Sequence, residues 1–233
     1  AGGAWAREAS IKRSSAGYAL EPATAFANLS SYPDGVYQVS FKGDATVAFS
    51  GVGALAGPLT TGADGITRGT VVVGGAAGAD SASRKLYMTI TSTAPASPMS
   101  DLHIWAPGYS DGGSMYTKEF IASLQPFDFL RFLDWTRTNQ SVVSSWSQRT
   151  PSDRFGDGTF FVSYEEMIAL ANEAGDDIWL PVPALADDDY LRQLAALVRR
   201  DLDPGLKVYV EYSNETWNYY FSAYSQVLAM AKV

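Results

Sequence analysis

The chain has 233 residues, 46% of them hydrophobic and only 18% charged, so it can bury a substantial core and is not disordered. A net charge of −8 without any basic run excludes a polyanion-binding surface for nucleic acid, and no apolar stretch reaches membrane-span length. With no cysteine and the single histidine His103, disulfides, thiolate metal sites and multi-histidine zinc sites are excluded too.

Residues 1–100 are rich in Gly, Ala, Ser and Thr and poor in helix-forming pattern. Gly35–Phe41 alternates with the period of a half-buried strand, and Ala45–Phe49, Thr70–Val73 and Lys85–Ile90 are further candidates. Turns at Lys42-Gly43-Asp44, Gly62–Gly65 and Gly74–Asp80 separate them. Short strands at this spacing point to an antiparallel sandwich. From residue 101 the texture changes. Leu102–Ala106 reads as a short buried strand, Thr117–Leu124 as a helix, and Phe129–Trp135 as a second strand. After the polar stretch 136–158, Ser163 and Glu166 form a capping-box pattern that opens a helix running to about Glu173. Ile178–Pro183 is a third strand, Asp188–Leu202 a helix stopped by Asp203-Pro204-Gly205, and Lys207–Ser213 a fourth strand. A last helix is expected from Trp217 onward. Strand–helix alternation of this kind is the signature of parallel βαβ units, with an open sheet or a (β/α)8 barrel as the outcome. The expected architecture is α+β and multidomain. A sandwich-like domain over 1–100 precedes the first four β/α units of a TIM-type barrel over 101–233, and the chain ends where a fifth strand would begin.

The segment Val208–Asn218, which contains Ser213-Asn214-Glu215-Thr216-Trp217, resembles the fourth strand of the clan A retaining glycoside hydrolases. The longer string is similar to a group of bacterial secreted proteins with a β domain before the barrel. It comprises Leu130–Trp135, Arg137-Thr138-Asn139, Asp188-Asp189-Tyr190 and Leu202–Glu211. The resemblance covers roughly residues 100–230. It implies that Glu215 is the general acid/base and that Asn214 donates its amide to a sugar hydroxyl. One departure is Pro183-Ala184, where the group often carries a histidine after the proline.

Retaining hydrolysis needs two carboxyl groups about 5–5.5 Å apart, one of which keeps its proton near neutral pH. Tyr212, Trp217 and Tyr219 could supply apolar surroundings for Glu215. The bland reading makes Asn214 and Glu215 a strand-end turn with a helix N-terminal anion. Arg131 lies in an apolar strand, where a lone charge is costly. A structural pair with Glu211 and a role in the site are both open. Asp134 and Trp135 fall at the C-terminal end of that strand, either contacting sugar or packing the loop. Trp105, Trp146 and Trp217 are further candidates for stacking on sugar faces. His103 reads most simply as a core histidine. The aspartate clusters 176–177 and 187–189 lack calcium-loop spacing and read as helix caps, so no metal or other cofactor is expected. Asn28-Leu29-Ser30, Asn139-Gln140-Ser141 and Asn214-Glu215-Thr216 fit the glycosylation sequon.

The clan's nucleophile stands at the end of a seventh strand, for which only Glu211 and Asp134 are in-chain substitutes. The chain alone is therefore expected to be inactive or incomplete, with carbohydrate as ligand and the remainder of the barrel as a partner. A half barrel leaves open sheet edges, so self-association is the other expectation. The start at Ala1 without a leader fits a secreted protein whose signal has been removed, and equally a recombinant product. A non-catalytic carbohydrate-binding or surface-structural protein is the rival reading.

Overall fold

The computed structural model describes residues 12, 19–21, 23–28, 33–74, 85–110, 113–152 and 161–231. The turn expected at 74–80 and the sequon at 28–30 lie largely outside them. The chain divides into two compact units, Ala1–Met115 and Tyr116–Val233.

The first unit is built from two antiparallel sheets. One has the order β1 (Ala23–Asn28), β7 (Lys85–Thr93), β3 (Ala45–Gly51). The other runs β4 (Gly53–Leu55), β6 (Ile66–Val73), β2 (Gly35–Lys42), β8 (Ser100–Trp105), with the short β5 (Thr60–Thr61) also on β6. Tyr37, Val39 and Phe41 of β2 point inward with Val71 and Val73 of β6, and meet Leu86 and Met88 of β7. Alternate residues of two sheets thus share one core, which fixes the register of both.

The second unit is a small α/β assembly. Three parallel strands, β9 (Phe129–Arg131), β10 (Asp177–Val182) and β11 (Val208–Tyr212), lie in the order β11-β10-β9. Helices α2 (Tyr164–Ala174) and α3 (Asp188–Asp201) cross over between them. Both bury their apolar stripes, Met167, Ile168, Leu170 and Ala171 with Tyr190, Leu194 and Leu197, in the core formed with Ile178, Leu180 and Val182. Each of those β10 side chains, at 1% exposure or less, contributes about 1.5–3 kcal/mol. The capping box on α2 is formed in both directions, between Ser163 and Glu166, and Gly175 at φ 77° stops the helix. Asp187 caps α3 by accepting from the Tyr190 amide. On the opposite sheet face Phe129, Trp179 and Tyr209 form a row of rings with centroids 5.8–6.3 Å apart.

This arrangement corrects the expected fold class. The stretch taken as the first barrel strand is β8, and it pairs antiparallel with β2 in the first unit. Its sequence explains why: Leu102 and Ile104 pack on the core clusters, while His103 stands opposite the buried Ser40 and Trp105 opposite the exposed Gln38. That is the two-residue period of a half-buried antiparallel strand, not the continuous apolarity of a parallel one. His103 accordingly sits on the outer face, stacked on Trp105 and bonded to Asp101, rather than in the core. Among the described residues the parallel set therefore holds three strands in an open sheet, and four barrel units are not present. Two element boundaries also differ. β9 ends at Arg131 because the chain turns at Asp134, and α4 (Ser222–Met230) starts after a turn that takes up residues 215–221.

No helix among the described residues is long and apolar enough to cross a membrane.

Candidate active site

The C-terminal ends of β9 and β11 carry the residues singled out from sequence, and a polar network joins several of them. Arg131 donates from Nε and Nη2 to Glu211, at 3.1 and 2.8 Å, and also from Nη2 to Asn214 Oδ1 at 2.9 Å. Its guanidinium lies 5.1 Å from the centre of the Trp179 ring. Arg131 thus pairs with Glu211 and also holds the side chain of Asn214. Because a guanidinium only donates, the Asn214 atom facing it must be the oxygen, which fixes the amide's orientation. Asn214 Nδ2 then donates to Asn139 Oδ1 at 2.9 Å. Asn139 and Asn214 are each 6% exposed, so neither sequon presents a free asparagine. One Asn214 N–H is spent within the protein.

Asn139 belongs to a single 3-10 turn, Thr138–Gln140, and this turn is bound to the chain after β11. Gln140 donates to Tyr220 O at 3.2 Å and accepts from the Ser222 amide at 3.3 Å, while Gln226 donates to Ser141 O at 2.8 Å. Sequence reasoning gave this turn no role in the site. Its signal was faint: an asparagine inside a polar stretch looks solvated until the fold buries it.

Glu215 is exposed. Asn218 donates to its Oε2 at 3.0 Å, and no cation pairs with it among the described residues. Trp217, Tyr219 and Tyr220 beside it are 70–75% exposed, so the aromatic surroundings are present as an open surface rather than a pocket. Asp134 is exposed and its Oδ1 accepts a long 3.5 Å bond from the Asn139 amide, bracing the turn. Trp135 packs edge-on against Phe132, ring centroids 4.9 Å apart, at the margin of the core. Its ring is half-buried there. Trp146 is likewise half-buried, stacked on Tyr164. Trp105 belongs to the first unit.

Backbone strain concentrates here. Five non-glycine residues have positive φ among the described residues, and four of them are Asp134 (63°), Arg137 (56°), Ser213 (55°) and Glu215 (40°). Each such residue costs about 1–2 kcal/mol, a cost met where the surrounding contacts over-determine the geometry. Ser213 is fully buried, donates its amide to Val182 O, and leaves its hydroxyl without a partner. Chemically, the site offers the exposed carboxylate of Glu215 beside exposed rings, with the exposed Asp134 on the turn after β9, held over a rigid polar base. Both oxygens of Glu211 are occupied by Arg131, so it does not supply a second free carboxylate.

No family model, no curated protein and no solved structure matches this chain.

Proposed function

We propose that the chain acts on a polysaccharide or oligosaccharide, with Glu215 as general acid/base of a retaining two-carboxylate hydrolysis whose nucleophile comes from protein outside the described residues. The observation that carries this reading is the contrast between two neighbouring carboxylates. Glu211 is neutralised by Arg131, whereas Glu215, four residues on, is held out by a left-handed backbone beside exposed Trp217, Tyr219 and Tyr220. Rings flanked by polar groups suit the C–H faces of sugars. In the proposed reaction Glu215 protonates the departing glycosidic oxygen, the external carboxylate takes the anomeric carbon, and Glu215 then removes a proton from the incoming water. Asn214, immobilised by Arg131 and Asn139, directs its remaining N–H at a sugar hydroxyl. A segment that continues the sheet along β11 is the partner this scheme needs, and a polymeric substrate places the protein outside a bacterial cell.

The second reading is non-catalytic carbohydrate binding, favoured by one observation: Glu211, the carboxylate four residues before Glu215, has both oxygens engaged by Arg131. Replacement of Glu215 separates the two. For the hydrolase, Glu215→Gln lowers reducing-sugar release by at least about a hundredfold while glycan affinity stays within a few-fold. Binding without turnover, before and after the change and with any co-purifying partner retained, defeats the hydrolase reading.

A further inference from the structure

Next to the Glu215 site lies a cavity of about 340 Å³ that the scheme above does not use. One wall is the segment Thr136–Val143, which contains the turn that holds Asn214. Opposite are Gln148, Arg149 and Thr150, with Phe161 and Val162, and Pro183, Tyr164 and Tyr190 complete the lining. The volume is enough for a single pyranose ring, and the site and cavity share a rigid element.

The charge of the lining is unusual for this protein. The chain carries 25 acidic and 17 basic residues, yet among the described residues two arginines and no carboxylate line the cavity. Arg149 is compensated. It donates to Glu165 at 2.7 and 3.2 Å and to Thr150 O at 2.8 Å, and its charge rests 4.2 Å from the Trp146 ring centre. Its Nε is buried and has no partner. Arg137 is different: it has no carboxylate partner among the described residues, and its guanidinium lies 5.6 Å from the centre of the Phe161 ring. A guanidinium over a ring keeps its in-plane N–H donors available, and those match a planar carboxylate. The fixed left-handed backbone of Arg137 holds the base of that side chain at the cavity. Phe161, Val143, Val162 and Pro183 supply the apolar surface against which C–H faces of a sugar pack.

From this we infer that the cavity is a subsite for a carboxylate-bearing sugar, so that the substrate class of the Glu215 site is a uronate-containing glycan. Arg137 pairs with the uronate, and the apolar wall takes the ring. A neutral sugar would leave Arg137 unmatched. The inference rests on the carbohydrate reading above and narrows it.

The test uses the whole chain and three probes: a galacturonate oligomer, the same oligomer with its carboxyls methyl-esterified, and a neutral oligoglucoside, each titrated calorimetrically. The acid form is expected to bind about tenfold or more tighter than its ester, a charge-assisted bond being lost on esterification. Arg137→Asn removes the charge with a residue that tolerates the left-handed backbone, and should bring acid and ester within about twofold. Arg137→Lys should restore part of the preference. Equal binding of acid and ester by the wild-type chain overturns the inference, as does a preference that survives Arg137→Asn. Binding of the neutral probe with no acid preference removes this subsite and leaves the carbohydrate reading standing. Binding of none of the three removes both.

Discussion

Ser213 shows in one residue how the site departs from what folding alone would select. Its φ of 55° and its buried, unpartnered hydroxyl are both unfavourable, and glycine would relieve the two together. Ser213→Gly is therefore expected to raise stability by about 1–2 kcal/mol, read as a higher urea midpoint at unchanged slope. Unchanged or lower stability would mean that the hydroxyl has a bonding partner in solution. At this scale the sequence was partly legible. A charge within Phe129–Trp135 had to be paired, and Glu211 was available to Arg131. Asn214 and Glu215 stood out at a strand end. Asn139 and the difference in burial between Asn214 and Glu215 were not legible, because adjacent residues differ there only through backbone dihedrals that no residue type announces. Trp135 and Trp217 illustrate the same limit: identical side chains at similar strand-end positions, one packed on Phe132 and the other 73% exposed.

Among the elements, the α2–β10 connection carries an ionisable liability. Asp176, 6% exposed, follows the helix-stopping Gly175, and one of its oxygens has no partner. Burial, reinforced by Asp128 and Asp177, pushes its carboxyl above the usual carboxylate range. A raised folded-state value means that the folded chain holds the proton more tightly than the unfolded one. Stability from this group is thus present at low pH and lost as pH rises through the raised value. Asp176→Asn should stabilise the protein near neutral pH, and the gain over wild type should vanish below the carboxylate range. Urea midpoints at about pH 7 and about pH 3 check the sign. Helix starts were the elements most legible in sequence, since Ser163, Glu166 and Asp187 act through local bonds. The strand Ser100–Trp105 was misassigned for a physical reason. A six-residue run can serve either kind of sheet, and only the alternation Leu102, His103, Ile104, Trp105 marks the antiparallel one.

For the whole molecule, the consequence of an open three-stranded sheet is a free edge. Among the described residues β11 pairs only with β10, and Val208, Tyr209, Val210 and Tyr212 are 37–63% exposed. Edge strands of this kind pair with other chains unless charge blunts them. The isolated 233-residue chain is expected to associate with rising concentration, and Val210→Lys to return the sedimenting mass toward 25.0 kDa. A wild-type chain that stays at 25.0 kDa across the concentration range would show that the edge is covered in solution. The division into an antiparallel unit and an α/β unit follows from two textures of sequence. The number of parallel strands depends on which sheet takes one short segment, and composition does not decide that. The Arg131–Glu211–Asn214–Asn139 network has a last consequence, for kinetics. Its hydrogen bonds join residues 75–83 positions apart, and β9 and β11 each pair their backbones with β10 rather than with each other. The network can close only after both parallel pairings have formed, late on the folding path. Contacts made after the rate-limiting barrier act on the rate of unfolding and leave the rate of folding nearly unchanged. The same bonds that hold Asn214 for chemistry then act as a latch on the finished fold, setting how long the native state lasts rather than how quickly it is reached.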